Sequence, residues 1–348
     1  MPPSGIVQLD ELRLFVIVDN ETDTLSSVDE GVPQAAEATH LAARIPAARE
    51  FEGHPCKTTF DRLCCACHGF SVLATGRKGS EEHTLLFDIG PFPDVWLGNA
   101  AKHEVDLSRI EAVFLSHWHY DHSGGFPAVI AAISAARKKA GRHEALPVSL
   151  HPDRPDQRGI LQPSGTLILL PPEPTFEAIE AAGGRVVKQA DAHALCNGFF
   201  YGSGLIERVT PYETGLAGHH SFRGGKGAPD PLILDERYIA AEVKGRGVTV
   251  LSACSHAGVV NACLSARKAF APAPIDVILG GYHLAGKVME QRITATVHDL
   301  RARVEPRIVA PGHCTGWRAK AALAEAFAPG RYGPSAVGSL YTLKADGA

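Results

Sequence analysis

The sequence has no long apolar run and no strong excess of charge of either sign. Its 348 residues include 34 Lys or Arg and 38 Asp or Glu, which gives a formal net charge of -4. Because no basic face and no acidic tail stands out, nucleic acid is not an expected partner. The N-terminal run "LFVIV" is too short for a signal peptide or a membrane span. These absences predict a cytoplasmic protein without a membrane partner.

Two well-separated Cys-x-x-Cys knuckles are also missing, although the chain has 8 cysteines. Four of these cysteines lie close together in "HPCKTTFDRLCCACHGF", with His54 and His68 beside them. A structural zinc site in this Cys56–His68 cluster is one interpretation. Their spacing and the absence of a secretion signal favour reduced, partly buried thiols instead.

Hydrophobic patterns predict an α/β protein. Strands are predicted at "LRLFVIVDN", "GFSVLATG" and "HTLLFDIG", and a helix at "FPAVIAAISAARKKAGR". The last third alternates strand and helix through "GVTVLSACSH", "VVNACLSARKAF", "IDVILGGYH", "ITATVHDLRARV", "PRIVAPGH" and "RAKAALAEAF". Between them, residues from about 150 to 230 are rich in Pro and Gly, a composition typical of loops and hairpins.

A histidine follows each strand of that last series: His256, His283 and His313. Ligands of α/β sheets gather at the carboxyl ends of strands, where the loops are free to converge. The three histidines are therefore expected to line one site.

The stretch "AVFLSHWHYDHSGG", residues 112–125, carries the strongest chemical signal. His117 and His119 are two residues apart in extended chain, so their side chains leave on the same face and can converge on one cation. Asp121 and His122 follow and can face a second position beside the first. Imidazoles with a carboxylate suit zinc, with iron or manganese as alternatives. A solvated histidine-rich turn does not explain four such residues directly after a buried strand.

The H-x-H-x-D-H motif resembles that of the metallo-β-lactamase superfamily. With "LFVIVDNETD", "HGFSVL", "LLFDIG", "LSACSHAGVVN", "GGYHL" and "PGHCTG", it resembles one branch of metal-dependent hydrolases, similar to dihydropterin-methyl-ribofuranosylaminobenzene phosphate synthase. The resemblance implies one domain over residues 1–348 with a four-layer αββα sandwich, two mixed β-sheets flanked by helices. The segment from about 150 to 230 would cover the substrate.

The resemblance also implies a set of metal ligands. His117 and His119 match ligands of a first metal, Asp121 and His122 match those of a second, and the late His313 completes it. His256 is the best remaining ligand. The superfamily usually supplies a bridging carboxylate as well, but "SACSHAG" has none at the corresponding strand end. Glu213, Asp235 or His283 are candidates to replace it, or the protein holds one Zn2+ rather than two.

The expected reaction is hydrolysis of an ester, lactone, amide or phosphoester by a metal-bound hydroxide. Asp121 would serve as ligand and proton acceptor, and His283 or a loop histidine would protonate the leaving group. Four residues of the glycine-rich loop could steer an anionic or phosphorylated small-molecule substrate: His219, His220, Arg223 and Lys226.

Other side chains near the expected ligands have more than one interpretation. Asp19 and Asn20 either orient ligand imidazoles or close the first strand in an Asx turn. Cys254 and Cys314 either pack against the site or ligate. His68 is expected to be structural or exposed.

Three other functions remain open from the sequence. One is the condensation named for the branch, which joins a pterin precursor to a phosphoribosyl arene. Another is an iron-dependent oxidoreductase, although His119 stands where diiron flavoprotein relatives usually carry Glu. The last is a non-catalytic, metal-dependent binding protein.

Overall fold

The computed structural model describes residues 3–347. Along this part of the chain the strands are β1 Gln8–Leu9, β2 Glu11–Val18, β3 Gln34–Ala35, β4 Arg49–Phe51, β5 His54–Cys56, β6 Ser71–Lys78, β7 Glu81–Phe87, β8 Ile110–Phe114, β9 Leu146–Leu150, β10 Gln157–Leu161, β11 Leu167–Leu169, β12 Gly184–Lys188, β13 His193–Leu195, β14 Phe200–Gly202, β15 His219–Arg223, β16 Lys226–Pro229, β17 Ile239–Val243, β18 Gly247–Ser252, β19 Ile275–Gly281, β20 Ile308–Gly312 and β21 Leu340–Lys344.

The helices lie between these strands. They are α1 Glu37–Arg44, α2 Pro93–Lys102, α3 Tyr120–Ser123, α4 Phe126–Lys139, α5 Phe176–Ala181, α6 Val259–Phe270, α7 Ile293–Asp299 and α8 Trp317–Phe327. α7 continues into a π-helical turn at Leu300–Val304. No helix within residues 3–347 is both long and apolar enough to cross a membrane.

Two mixed sheets form the centre of the fold. The first has the order β12-β9-β8-β7-β6-β2-β21-β3. It is parallel from β7 to β12 and antiparallel from β7 to β3. The second has the order β13-β14-β17-β18-β19-β20, with β1 added to β17. Its strands β18, β19 and β20 are parallel, as the alternation of strand and helix predicts.

The core lies between the two sheets. Leu14, Val72 and Phe87 of the first sheet share one buried cluster with Leu251 and Val277 of the second. Each such side chain contributes roughly 1.5–3 kcal/mol when it is fully buried. Helices α2 and α4 cover the outer face of the first sheet, and α6 and α8 cover that of the second. This arrangement confirms the predicted αββα layers.

The segment from about 150 to 230 is more ordered than its composition indicates. Strands β11-β10-β15-β16 pair into a four-stranded antiparallel sheet, which we call the accessory sheet. Gly224 and Gly225 adopt φ values of 57° and 77° at the turn between β15 and β16, a conformation that favours glycine. The glycines therefore mark a hairpin turn between short strands rather than a long loop.

Candidate metal centre

The histidine motif begins where β8 ends. His117, Trp118 and His119 continue the chain, and α3 begins at Tyr120. The indole of Trp118 is fully buried, and its backbone N–H donates to Asp235 Oδ2 at 2.8 Å. His117 and His119, the neighbours of Trp118, each place a ring nitrogen within reach of His256.

Three imidazoles converge there and form what we call the first group: His117, His119 and His256. His119 Nδ1 lies 3.0 Å from His117 Nε2 and 3.1 Å from His256 Nε2. All three side chains are buried. Two of them come from the end of the first sheet and the third from the loop after β18, so the group joins the two sheets.

Four donors form a second group beside the first: Asp121, His122, Cys254 and His313. Cys254 Sγ lies 3.2 Å from His122 Nε2 and 3.3 Å from His313 Nε2. Asp121 Oδ2 lies 3.4 Å from His122 Nε2 and 3.3 Å from His313 Nε2. These donor separations are close to those of four ligands around one tetrahedral ion.

The sequence has no carboxylate at the strand end where the superfamily usually supplies the bridging ligand. In the structure, the thiol of Cys254 lies there, in the second group. Two of the three proposed substitutes, Glu213 and Asp235, lie outside both groups and have other partners. Glu213 accepts hydrogen bonds from the backbone N–H groups of Val260 and Asn261, and so caps α6. Asp235 accepts from Trp118 N–H and from Arg158. Both carboxylates are used within the structure, and the thiol of Cys254 stands in the donor set instead.

Hydrogen bonds behind the imidazoles fix which ring nitrogen carries the proton. The Ser116 hydroxyl donates to Asp88 Oδ2 at 2.7 Å, so its oxygen accepts from His117 Nδ1 at 2.8 Å. His122 Nδ1 donates to Asp88 Oδ2 at 2.8 Å. In the neutral tautomer, the Nε2 lone pair of each ring then faces its group.

His313 follows the same pattern from the other sheet. Its Nδ1 donates to Asn20 Oδ1 at 2.9 Å, and its backbone N–H donates to Asp19 Oδ1 at 2.8 Å. These bonds are the orienting contacts that were one interpretation of Asp19 and Asn20. Lone pairs that face one another at about 3 Å repel unless a cation or a proton lies between them. The donor set therefore fits a bound divalent cation.

The protonation states agree with that fit. Burial holds the pKa of His117, His119 and His256 well below its usual range, so these rings are neutral. Burial opposes ionisation of Asp121, but the charge of His122 and hydrogen bonds from His122 and His313 outweigh it and hold the pKa of Asp121 well below its usual range.

His122 differs from the other rings. Burial would lower its pKa, but the carboxylates of Asp121 and Asp88 outweigh burial and raise that pKa well above its usual range. A cation that binds in the second group therefore displaces a proton from His122.

The family is decided by a match over more than half of the chain. The family model of the metallo-beta-lactamase superfamily matches residues 66–282. The chain belongs to this superfamily. Its fold implies binding of a divalent metal, to which the two groups of donors correspond.

Similar proteins cover a larger share of the chain than the family model does. A 7,8-dihydropterin-6-methyl-4-(beta-D-ribofuranosyl)-aminobenzene-5'-phosphate synthase of Methanocaldococcus jannaschii is 26% identical over 263 residues, which cover 75% of this chain and 85% of the synthase. An uncharacterized protein of the same organism is 24% identical and covers 75% of this chain and 88% of its own length. The crystal structure of a metal-dependent hydrolase of the beta-lactamase superfamily superposes with a TM-score of 0.65 at 21% identity, covering 96% of this chain and 98% of that one.

His283 and His68 lie at the edges of the metallo-beta-lactamase centre. The ring of His283 lies 4.3 Å from that of His256, and its Nδ1 has no hydrogen-bond partner among the residues described. His68 Nε2 lies 3.4 Å from Asp121 Oδ2, with 67% of the His68 side chain exposed. The exposure of His68 was expected, but its place beside Asp121 was not. The centre therefore has a partly exposed residue at each of these edges, Asp121 and His283.

The residues expected to steer a substrate separate into two sets. His219 is buried, and its Nε2 lies 2.9 Å from His119 Nε2. Within residues 3–347, the other three belong to neither group. His220 Nδ1 bonds to the carbonyl of Gly218, Arg223 pairs with Asp153, and Lys226 lies exposed at the start of β16.

The Cys56–His68 cluster is not assembled into one site. Cys64 is buried beside Glu37, and its backbone N–H donates to Glu37 Oε1 at 2.7 Å. Cys65 instead contacts Lys102, and the backbone N–H of Cys67 donates to Asp19 O. Of the four possible metal-binding groups within residues 3–347, none contains two cysteines of this cluster.

Proposed function

We propose that this protein is a metal-dependent hydrolase that cleaves an ester, lactone, amide or phosphoester bond of a small molecule. The observation that carries the proposal is the pair of adjacent donor groups, three imidazoles in one and Asp121, His122, Cys254 and His313 in the other. The hydrogen bonds behind the rings support it, because they direct lone pairs toward positions that a cation would occupy.

The donor chemistry favours zinc. Imidazole nitrogens, a thiolate and one carboxylate are the ligands that zinc prefers, whereas manganese prefers oxygen. A bound zinc ion supplies Lewis-acid activation of a water molecule and of the substrate oxygen. The first group offers three donors where zinc takes four, which leaves a place for water or substrate, whereas the second group offers four.

The chain's own residues would handle the protons. Asp121 is the one carboxylate of the two groups, and it is partly exposed beside His68, where it can take the proton of an attacking water. His283 lies beside His256 with Nδ1 unpartnered in the described structure, so it can give a proton to a leaving group. The free state of all 8 cysteines favours a reducing, cytoplasmic location, which is part of the proposal.

A second candidate is a condensing synthase. The observation that favours it is the synthase from Methanocaldococcus jannaschii, which is 26% identical across 75% of this chain. That relative's name describes a product in which a dihydropterin is joined to a ribofuranosylaminobenzene phosphate. The same metal groups would then act on a substrate with a phosphate group.

Metal analysis coupled to an activity panel tests both candidates. The purified protein is expected to contain zinc and to hydrolyse at least one member of an ester, lactone, β-lactam and phosphodiester panel. The synthase arm uses a ribofuranosylaminobenzene phosphate and a dihydropterin with a leaving group on its 6-methyl carbon. Formation of the condensation product, without hydrolysis of any panel member, would favour the synthase. Iron in place of zinc would favour the oxidoreductase.

A double variant tests the site itself. His117→Ala with His119→Ala removes two of three donors of the first group, so metal content and activity are expected to fall together. The control is His151→Ala with His193→Ala, which changes two histidines outside both groups. A metal-free double variant that keeps full activity would contradict the proposal.

A further inference from the structure

His219 contacts the proposed metal ligand His119 and leaves no ring nitrogen free for a substrate. His219 lies at the start of β15 in the accessory sheet and is 1% exposed. Its Nε2 lies 2.9 Å from His119 Nε2, and its Nδ1 lies 2.7 Å from the carbonyl oxygen of Asp230. Both ring nitrogens of His219 are thus used by the protein.

The backbone carbonyl of Asp230 determines which nitrogen donates in each hydrogen bond from His219 to His119. A carbonyl oxygen only accepts, so His219 Nδ1 must carry the proton that it donates to Asp230. In a neutral imidazole the other nitrogen, Nε2, then has a lone pair and accepts from His119 Nε2–H. The remaining nitrogen of His119 is Nδ1, which is left with its lone pair facing His117 and His256.

We propose that His219 is a positioning residue that holds His119 in the tautomer able to ligate through Nδ1. Through His219, the accessory sheet sets the affinity of the first group for a divalent cation. The inference rests on the proposed metal function. It also replaces the expected substrate role of His219.

A second series of contacts joins the accessory sheet to the same motif. Arg158 of β10 is fully buried, and its Nη2 donates to Asp235 Oδ1 at 2.6 Å. Asp235 Oδ2 in turn accepts from the backbone N–H of Trp118 at 2.8 Å. The accessory sheet is therefore joined to the His117–His119 loop twice, directly at the His119 ring and, through Asp235, at the backbone of Trp118.

Docking of the accessory sheet and metal binding must affect each other equally. If docking of the accessory sheet raises metal affinity, metal binding must stabilise the docked sheet by the same factor. We therefore expect Zn2+ to slow amide hydrogen exchange in the β15–β16 hairpin, residues 219–229, in the full-length protein. In His219→Leu the metal-dependent difference in exchange should shrink.

Metal affinity tests the tautomer directly. In His219→Leu the acceptor for His119 Nε2–H is lost. Loss of such an orienting partner costs about 10–100-fold in metal affinity, and we expect that weakening for one Zn2+ equivalent in competition with a chromophoric chelator. In His219→Gln the side-chain carbonyl can still accept, so affinity should recover at least in part. The visible spectrum of the Co2+-loaded protein should shift in the Leu variant and return toward the parent spectrum in the Gln variant.

His193→Leu is the matched control. His193 also donates from Nδ1 to a backbone carbonyl, that of Asp191 at 3.0 Å, but its Nε2 bonds Ser149 instead of a ring of the metal groups. Zn2+ affinity should be unchanged in this variant. Circular dichroism of the metal-free proteins checks that each variant is folded.

Failure of this inference differs from failure of the proposed function. If the parent protein bound no divalent cation, both would be wrong. If the parent bound Zn2+ and His219→Leu bound it with equal affinity and an unchanged Co2+ spectrum, only the role of His219 would be overturned. Equal weakening in the Gln and Leu variants would also overturn it, because the acceptor would then not be what matters.

Discussion

At the scale of single residues, the thiol of Cys254 gives the second group a mixed donor set. Its Sγ lies 3.2 Å from His122 Nε2 and 3.3 Å from His313 Nε2, in a buried position. Thiolate donors favour zinc over the hard cations manganese and magnesium. A carboxylate in the same place would widen the range of metals that the group accepts.

Substitutions at Cys254 test that role. We expect Cys254→Ala to weaken one Zn2+ equivalent beyond the roughly 10–100-fold that loss of an orienting group costs. Cys254→Asp should retain two equivalents. With Co2+, the near-ultraviolet absorption of a metal–thiolate bond should be present in the parent and absent in both variants. Cys263→Ala, a buried thiol of α6 outside both groups, is the control, and the same absorption loss in it would contradict the assignment.

Glu173 is a buried carboxyl next to the His119 backbone, where burial favours its protonated form. The Ser123 hydroxyl bonds both the carbonyl of His119 and Glu173 Oε2. A hydroxyl has one proton, so when it donates to the carbonyl the second bond needs a proton from Glu173. Burial agrees, because it raises the pKa of Glu173 to about 7.

The raised pKa of Glu173 makes stability depend on pH. Between the unfolded pKa, about 4.5, and the folded pKa, about 7, the folded state binds more protons than the unfolded state. The free energy of unfolding therefore falls as pH rises through this range, by roughly 2–3 kcal/mol in total. We expect Glu173→Gln to lose most of this decline in urea unfolding of the metal-free protein at about pH 5 and about pH 8. An identical decline in the variant would exclude Glu173 as its source.

At the scale of elements, the start of α6 depends on a distant carboxylate. Glu213 accepts from the N–H groups of Val260 and Asn261, each at 3.0 Å, and from the hydroxyl of Thr210. Gly258 adopts a φ of 102° there, and a Cβ on it would lie 2.0 Å from Glu213 Cδ. Because Gly258 has no Cβ, the Glu213 carboxylate has room to lie at the start of α6.

Removal of this cap should lower the free energy of unfolding and leave the bound metal in place. In Glu213→Ala the N–H groups lose their acceptor, and we expect the free energy of unfolding to fall by about 1–3 kcal/mol. Metal stoichiometry should stay unchanged, since Glu213 is in neither group. Glu207→Ala, an exposed partner of Lys268, should change stability by about 0.5 kcal/mol or less. Loss of metal from Glu213→Ala at full stability would restore Glu213 as a ligand candidate.

The main elements could be predicted where the pattern along the chain is strong. The six alternating elements between residues 247 and 327 were predicted correctly, because buried parallel strands and amphipathic helices have distinct periods. The accessory sheet could not be placed, since β11 and β16 are exposed on every residue and carry no inside-outside pattern. His68 and His219 reach the site only through tertiary packing, which spacing along the chain does not encode. The place of Cys254 was visible as the strand-end position before His256, but the thiol was not selected over distant carboxylates.

At the scale of the whole molecule, the metal groups join the two halves of the sandwich. His117, His119, Asp121 and His122 follow β8 of the first sheet, whereas Cys254, His256 and His313 follow β18 and β20 of the second. A cation that binds both sets contacts both sheets at once. Binding to the folded state alone stabilises that state by mass action.

Chelation should therefore lower the melting temperature. At a free Zn2+ concentration 1,000 times the dissociation constant, the free energy of unfolding rises by about 4 kcal/mol. This corresponds to a rise in melting temperature on the order of 5 °C or more. Scanning calorimetry with Zn2+ and with EDTA measures this difference. In His117→Ala with His119→Ala the shift should shrink, and an undiminished shift there would place the stabilising cation elsewhere.

The burial of the imidazoles also has a consequence for when the metal enters. His117 and His122 have no exposed surface, and the accessory sheet contacts His119 from outside. An ion in the first group would thus be covered by this sheet on the His119 side, and local opening of the sheet would speed its exchange. During synthesis, a metal already bound when the sheet docks would exchange more slowly afterwards. The metal found in the purified protein would therefore record the cellular supply during folding as well as the preference of the ligands.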